Sequence, residues 1–221
     1  MNMHGVIFDL DGVIVNTAKF HYKGWKKLAD KLGLPFDEEK NEKLKGLSRR
    51  DSLLAMLGKD PGEDKAAKWC EEKNAYYLEF VGQIDKSEIL PGAMELVREI
   101  QKDKGWKQAL ASSSKNAKLI LNKLDLTKYF DAVVDGSETE KAKPDPALFL
   151  LAAKKLGLPT DDVVVVEDAE SGVAAARAGK MKVIGLGDPK ILVGADLVLK
   201  DLSQIDLSGI GRLFSKAAAS R

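Results

Sequence analysis

The second half of the chain alternates between short apolar runs and segments with helical spacing, and this alternation restricts the possible folds most. The run Val163–Val166 is wholly apolar, as expected for a strand that is covered on both faces of a sheet. The strands that we predict are Trp106–Ala111, Phe130–Val134, Val163–Val166, Lys182–Leu186 and Leu197–Leu199, and the helices are Ala93–Lys102, Asn116–Leu124, Pro146–Leu156 and Ser171–Ala178. Such alternation indicates an α/β fold with a doubly wound parallel sheet.

A helical segment interrupts this pattern near the N-terminus. Val6–Leu10 is a further apolar run, and it predicts the first strand. The helices that we predict after it are Ala18–Leu32, Glu38–Leu44, a third that Ser48 caps and that runs to Leu57, and Glu63 to about Ile84. We therefore expect an α/β core of residues 1–16 and 89–221, with a helical domain of residues 17–88 inserted after the first strand. Residues 217–221 are expected to form a frayed tail.

The composition of the chain limits the binding partners and the location that we expect. The chain of 221 residues has a net charge of +1, so we expect no general attraction to nucleic acid or membranes. We also expect a monomer that acts on small hexose phosphates. No apolar stretch approaches the ~20 residues that span a bilayer. The N-terminus has no signal-peptide pattern, and the single cysteine, Cys70, fits a reducing compartment, so a cytoplasmic location is expected. Trp69, Tyr76, Tyr77 and Phe80 are interpreted as core of the helical domain and not as a stacking platform.

Polar residues follow several of the predicted strands. Asp9 and Asp11 close the first strand, Ser112–Lys115 follow Trp106–Ala111, Lys143 lies in a later loop, and Glu167–Asp168 follow the wholly apolar strand. Ligands of doubly wound sheets bind at the carboxyl ends of the strands, so these groups are expected to converge. Crowded carboxylates repel one another unless a cation neutralises them, and hard oxygen ligands suit Mg²⁺. The pattern predicts magnesium-dependent phosphoryl transfer in which the carboxylate of Asp9 attacks.

Each of these residues also has an ordinary structural interpretation. A single aspartate at a strand end is commonly a turn former or a helix cap, and only the coincidence of several strand ends favours a site. Lys45, Arg49 and Arg50 lie near a predicted helix start, where charged residues usually form a solvated face. The residues alone leave the role of this loop undecided.

The same residues, in the same order, resemble the four motifs of the haloacid dehalogenase superfamily. These motifs are Asp9-Leu10-Asp11-Gly12-Val13, Ser112, Lys143 before Pro144, and Glu167-Asp168 with Gly172. Within the superfamily, the β-phosphoglucomutases are matched by Leu44–Arg49 with Asp51-Ser52, by Ala109–Asn116, and by Thr17, His21 and Trp25. The resemblance covers the whole chain and implies a Rossmann-like core with a helical cap. It implies that β-D-glucose 1-phosphate and glucose 6-phosphate are interconverted through an aspartyl phosphate and a β-glucose 1,6-bisphosphate.

The resemblance also implies a role for each matching residue. Asp9 is the implied nucleophile, Asp11 the general acid/base, and Arg49 the group that holds the second phosphate of the sugar. The implied catalytic residues are Asp9, Asp11, Thr17, His21, Ser112 and Lys143, and the implied Mg²⁺ group is Asp9, Asp11 through its carbonyl, Glu167 and Asp168. The implied substrate-binding residues are Trp25, Lys45, Gly46, Leu47, Ser48, Arg49, Ser52, Lys73, Ser113, Ser114, Lys115 and Asn116. Arg50 is expected to face solvent, and the ordinary alternative for His21 is a satisfied helix histidine.

Two positions depart from the pattern of the resemblance, and two other functions are open. Asn16 stands where many members carry aspartate, and Ser113 adds a hydroxyl where alanine is common. We expect a small effect from Asn16 and a more polar pocket from Ser113. The rival functions are a sugar-phosphate phosphatase of the same superfamily and a non-catalytic protein that binds a phosphorylated ligand. The loop around Arg49 argues against the first, and the presence of every motif residue argues against the second.

Overall fold

The computed structural model describes residues 3–218, and it contains a six-stranded sheet. The strands are β1 His4–Phe8, β2 Trp106–Ala111, β3 Ala132–Val134, β4 Val163–Glu167, β5 Lys182–Leu186 and β6 Leu197–Leu199. They pair in the order β3-β2-β1-β4-β5-β6, and every pairing is parallel. The strand order reverses at β1, which makes its carboxyl end a topological switch point. The predicted α/β class with a doubly wound parallel sheet is confirmed.

Helices connect these strands. They are α1 Ala18–Lys31, α2 Glu38–Glu42, α3 Arg49–Leu57, α4 Glu63–Val81, α5 Ala93–Lys102, α6 Ala117–Lys123, α7 Ala147–Leu156, α8 Glu170–Ala178 and α9 Leu207–Ala218. We refer to residues 17–88, which contain α1–α4, as the helical insertion. Ser48 caps α3 as predicted, because its Oγ accepts a hydrogen bond from the amide of Asp51 at 3.1 Å. None of the described helices combines the length and the apolar character that crossing a membrane requires.

Five elements differ from the prediction by two or more residues at an end or were not predicted. β3 begins at Ala132, two residues later than expected. β1 begins at His4 and ends at Phe8, two residues earlier than expected, because His4 and Gly5 already pair with β2. α2 ends at Glu42 and α4 ends at Val81, each before the predicted end. Helix α9 was not predicted at all, and it includes residues 217 and 218 of the expected tail. Residues 219–221 of that tail lie outside the described residues.

The sheet separates two apolar layers. Val6 and Phe8 of β1 point into the layer beneath α5, α6 and α9, while Ile7 points into the layer beneath α7 and α8. The helical insertion has an apolar cluster of its own, formed by Trp25, Leu28, Ala29, Phe36, Leu44, Leu53 and Ala66. Two residues of α4 pack elsewhere, since Tyr77 and Val81 join the layer of the sheet. The aromatic set of α4 is therefore divided, with Trp69 and Tyr76 against the cluster of the insertion.

The chain enters and leaves the helical insertion side by side. The amide of Asn16 donates to the carbonyl of Glu88 at 2.8 Å, and the amide of Leu90 donates to the carbonyl of Ile14 at 3.0 Å. Val15 and Ile89 form an antiparallel bridge between these two bonds. The two connections are thus hydrogen-bonded to each other along their length.

Candidate active site

Three strand ends place polar side chains at the switch point of the sheet. Asp9 follows β1, and its amide donates to the carbonyl of Val166 on β4 at 3.0 Å. Ser112 follows β2 in the same way, with its amide donating to the carbonyl of Val134 on β3 at 3.1 Å. Glu167 is the last residue of β4. Because β1 lies between β2 and β4, these three side chains meet at one edge, as the sequence predicts.

Lys143 is buried between two carboxylates. Its Nζ lies 2.7 Å from Oδ1 of Asp9, and it also donates to Oε1 of Glu167. Burial raises the pKa of Asp9 to about 7; Lys143 opposes this rise, and Glu167 adds to it. For Lys143 itself burial disfavours the charge, but Asp9 and Glu167 outweigh burial and raise the pKa of the lysine. The ammonium is therefore held as a fixed positive charge beside the Asp9 carboxylate.

Asp11 connects the strand end to the helical insertion. Its amide donates to Oδ2 of Asp9 at 3.0 Å, and its carboxylate accepts from the hydroxyl of Thr17. Nε2 of His21 lies 3.8 Å from Oδ1 of Asp11. Burial raises the pKa of Asp11, and the hydrogen bond from Thr17 opposes that rise. A carboxyl with a raised pKa that sits next to Asp9 can exchange a proton with a substrate hydroxyl.

The buried Lys73 contacts the half-buried His21 behind Asp11. Nζ of Lys73 lies 2.9 Å from Nδ1 of His21, and it also lies 4.7 Å from the ring centre of Trp25. Burial and the nearby charge of Arg49 together lower the pKa of Lys73 to about 7. Burial likewise holds the pKa of His21 well below its usual value, so the imidazole is neutral. If Lys73 donates to Nδ1, then Nε2 carries the ring proton and faces Asp11.

The oxygen donors around Asp168 fit a divalent cation. Burial raises the pKa of Asp168 well above its usual range, and the charge of Glu167 raises it further. Gly12 has φ +78°, and a Cβ at this glycine would lie 2.0 Å from Oδ2 of Asp168, so the carboxylate sits directly against the backbone. Carboxylates crowded in this way and a nearby main-chain carbonyl are hard ligands of the kind that Mg²⁺ takes.

One member of the implied metal group, Glu167, also has hydrogen-bond partners within the protein. Both carboxylate oxygens of Glu167 accept hydrogen bonds within the protein, Oε1 from Lys143 and Oε2 from the amide of Ala169 at 2.7 Å. These contacts orient Lys143, and a role of Glu167 at the metal stays a prediction. Across residues 3–218, no three His, Cys, Asp or Glu side chains form a metal-binding cluster.

The loop after β2 presents hydroxyl groups next to Asp9. Ser112 is buried, and its Oγ accepts from the amide of Ser114 at 3.1 Å. Oγ of Ser114 accepts in turn from the amide of Asn116 at 3.2 Å. Each hydroxyl keeps its own proton for another acceptor. These serines are therefore able to donate to an anionic oxygen, as expected for groups that hold a phosphate.

The helical insertion brings two basic residues to the same place. Lys45 lies 3.7 Å from Oδ2 of Asp168 and 2.8 Å from Oε2 of Glu42. Arg49 is half-buried, burial lowers its pKa, and it forms no ion pair with any residue of the described chain. Arg50 also borders the cavity, but its guanidinium pairs with Glu63 at 2.8 Å. Arg49 is thus the guanidinium that is left to bind an anion.

A cavity of about 1100 Å³ lies between the sheet edge and the helical insertion. This volume suits a small phosphorylated ligand. Of the predicted site residues, those that line it are Asp9, Asp11, His21, Trp25, Lys45, Gly46, Leu47, Ser48, Arg49, Ser52, Lys73, Ser112, Ser113, Ser114, Lys115, Asn116, Lys143 and Asp168. Thr17 and Glu167 are fully buried, and they hydrogen-bond to Asp11 and Lys143 respectively.

Sequence reasoning missed two residues that join the insertion to the sheet. Oδ1 of Asn74 accepts from Nδ2 of Asn116 at 2.8 Å. Oγ of Ser171 donates to the carbonyl of Lys45 at 3.4 Å. Asn74 could have been predicted, because it directly follows Lys73, which the sequence had already suggested as a site residue. Nothing in the sequence marks Ser171, because its partner lies 126 residues away.

A buried aspartate paired with a lysine at the switch point of a parallel sheet defines a class of α/β proteins with a carboxylate-centred anion site. A sequence model of the haloacid dehalogenase-like hydrolases matches residues 3–180. A β-phosphoglucomutase of Bacillus subtilis is 39% identical over 93% of this chain and 92% of its own length. The crystal structure of a β-phosphoglucomutase from Clostridium difficile superposes with a TM-score of 0.93, at 36% identity, over 98% of this chain and 99% of that chain. A phosphorylated carbohydrates phosphatase of Thermotoga maritima is 34% identical over 89% of this chain and 93% of its own length. The chain belongs to the haloacid dehalogenase-like hydrolase family.

Proposed function

We propose that the protein is a magnesium-dependent phosphosugar mutase that interconverts β-D-glucose 1-phosphate and glucose 6-phosphate. The observation that carries this proposal is Arg49, which lines the same cavity as Asp9 and has no carboxylate partner in the described chain. A guanidinium binds phosphate through two parallel hydrogen bonds. A site with one reactive carboxylate and a separate phosphate holder suits a bisphosphate that must bind with either end at Asp9. The similarity to named β-phosphoglucomutases supports the same reaction.

The chemistry on this proposal begins at Asp9. An oxygen of its carboxylate attacks the phosphorus of the bisphosphate, the sugar–oxygen to phosphorus bond breaks, and an aspartyl phosphate forms. Asp11 gives its proton to the departing sugar oxygen and takes a proton from the attacking hydroxyl in the return step. Lys143 and Ser112 stabilise the negative charge on the transferring group. The pair of His21 and Lys73, with Thr17, keeps Asp11 oriented.

Magnesium would be held by Asp9, Asp168 and the carbonyl of Asp11. When bound, the ion supplies positive charge that offsets the repulsion between the nucleophile and the phosphate. Asp9 must be ionised to attack, and its pKa of about 7 in the protein alone is high for that task. A cation at this position favours the ionised carboxylate.

The proposal extends to the organisation of the chain. Residues 17–88 act as a cap over the α/β core of residues 1–16 and 89–221. The chain works as a monomer on small hexose phosphates in the cytoplasm, and its free Cys70 fits a reducing compartment.

A phosphatase is the second candidate, because a relative with 34% identity is named as one. It would share Asp9, Asp11 and Lys143 and would differ only in the acceptor of the phosphate, which would be water. The presence of those residues equally disfavours a protein that only binds its ligand.

An assay with β-glucose 1-phosphate, Mg²⁺ and a trace of β-glucose 1,6-bisphosphate tests the proposal. We expect glucose 6-phosphate as the main product, and rapid release of inorganic phosphate without it would refute the mutase. Asp9→Asn removes the nucleophile and should lose essentially all activity. Asp161→Asn is the control, because Asp161 is exposed on the far side of the sheet, before β4.

A further inference from the structure

Two serines of the α/β core hold the backbone of one loop of the helical insertion. Oγ of Ser113, in the loop after β2, donates to the carbonyl of Gly46 at 3.1 Å. Oγ of Ser171, in the first turn of α8, donates to the carbonyl of Lys45 at 3.4 Å. The two donors come from different core elements and reach adjacent peptide groups. The loop is therefore hydrogen-bonded to the core from two sides.

The loop fits tightly where the serines hold it. Gly46 has φ +73°, and a Cβ at this position would lie 2.3 Å from Oγ of Ser171 and 3.1 Å from Cβ of Ala169. Only glycine combines this backbone conformation with such a close approach. The amide pair of Asn74 and Asn116 joins the insertion to the core at a second place. The insertion and the core are thus hydrogen-bonded to each other at two places.

This contact gives Ser113 a role other than the substrate contact that the sequence suggested. Its hydroxyl proton is used on a main-chain carbonyl of the insertion, and alanine at this position would lose that bond. Ser113 follows Ser112 directly, so the bond fixes the loop of the insertion beside the predicted phosphate holders. Closing the cavity at this point restricts the access of water to Asp9.

We propose that Ser113 and Ser171 form a clamp on the Lys45–Gly46 loop that decides whether the phosphate on Asp9 goes to a sugar or to water. This inference rests on the proposed function. In transfer to sugar, the hydroxyl oxygen bonds to phosphorus, the Asp9 oxygen to phosphorus bond breaks, and the hydroxyl proton passes to Asp11. In hydrolysis, a water oxygen takes the place of the hydroxyl, and inorganic phosphate leaves the free Asp9 carboxylate behind. The two serines are positioning residues that touch neither reacting atom.

The expected effect follows from one hydrogen bond. Losing a bond of usual net strength shifts the balance between closed and open cavity about fivefold toward the open form. Hydrolysis proceeds from the open form, so we expect Ser113→Ala to raise the ratio of inorganic phosphate to glucose 6-phosphate about fivefold. Ser171→Ala should act in the same direction, and the double variant should exceed either single one.

Two readouts and a matched control test the clamp. The first readout is the product ratio, and the second is hydrogen exchange of the backbone amides in residues 44–49, which opening should accelerate. Ser215→Ala is the control, because Ser215 makes a similar bond, to the carbonyl of Gly211 at 3.4 Å, away from the cavity. If Ser113→Ala and Ser171→Ala both leave the product ratio and the exchange of residues 44–49 unchanged, the clamp is refuted.

The outcomes separate the clamp from the proposed function. A wild-type protein that forms no glucose 6-phosphate refutes the function, while faster exchange in Ser113→Ala would still support a clamp on the loop. A wild-type protein that is an active mutase, with serine variants that match it in both readouts, refutes the clamp alone. Should one serine variant fail to fold, the other still decides, since each removes one of the two bonds.

Discussion

Gly12 is the residue whose replacement should disturb the site most directly. A Cβ here would lie 2.0 Å from Oδ2 of Asp168, and the φ of +78° is unfavourable for any residue with a side chain. We expect Gly12→Ala to lower the free energy of unfolding by about 2–5 kcal/mol, since it combines backbone strain with overpacking. It should also abolish Mg²⁺ binding by displacing Asp168. Chemical denaturation and magnesium titration measure the two effects.

Gly58→Ala is the matched control for that prediction. Gly58 has φ +68°, but a Cβ there would meet nothing within 4 Å. Gly58→Ala should lower the free energy of unfolding by about 1–2 kcal/mol, which is the strain of the positive φ alone. Equal losses in the two variants would contradict the overlap with Asp168, and so would a Gly12→Ala protein that still binds magnesium.

Single residues show what the sequence could and could not predict about the site. Asp9 lies at the end of one predicted strand, and Ser112 and Glu167 follow two others, so their meeting at one edge could be foreseen from strand order. The partners of Glu167 could not, because its pairing with Lys143 depends on where a loop 24 residues earlier folds back. For the same reason the bond from Ser113 to Gly46 was invisible in a sequence that showed only an extra hydroxyl. The catalytic and binding roles themselves stay predictions.

At the scale of elements, Glu138 joins α6 and α7. It pairs with Lys118 of α6 at 2.9 Å and with Lys155 of α7. Burial alone would raise the pKa of Glu138, but Lys155 and Lys118 outweigh burial and lower it to about 2. A carboxyl whose pKa is lower in the folded state stabilises the fold above its unfolded pKa, and that contribution is lost as pH falls through the folded pKa.

The expected result is a pH-dependent difference between wild type and Glu138→Gln. The variant should have the lower Tm at pH 7, and the gap should shrink as pH falls from about 4.5 toward about 2. Thermal unfolding over a pH series measures this gap. Glu95→Gln is the control, because Glu95 is exposed on α5 and forms no ion pair in the part of the chain that the structure describes. A gap that is constant with pH would contradict the bridging role.

Elements also differ in how far local sequence determines them. α5, β2, β5 and β6 have the predicted bounds, because apolar spacing and flanking turns agree. α9 escaped prediction because Ser208, Gly209 and Gly211 are poor helix formers. It forms because Leu207 and Ile210 are buried in the layer of the sheet, and because Phe214 stacks on His4 with ring centres 4.3 Å apart. Tertiary packing overrides weak propensity there.

For the whole molecule, magnesium should stabilise the fold. A ligand that binds only the folded state adds about 2.7 kcal/mol at a concentration of 100 times Kd, so Tm should rise with Mg²⁺ concentration. The gain should grow as pH rises through about 7, because protonated Asp9 competes with the metal. Asp168→Asn should lose the gain, and Asp161→Asn should keep it. An equal gain in Asp168→Asn would contradict the assigned ligand set.

The paired connections between Val15 and Ile89 have a consequence for how this architecture can change over time. The chain leaves the sheet and returns to it at hydrogen-bonded neighbours, so the ends of residues 17–88 are held together by the core itself. A change in the length or sequence of that segment costs little extra loop-closure entropy, because hydrogen bonds of the core already hold its two ends together. It also leaves the strand order and the register of β1 untouched. Replacing residues 17–88 could therefore change which ligand the cavity accepts, while Asp9 keeps its position at the end of β1.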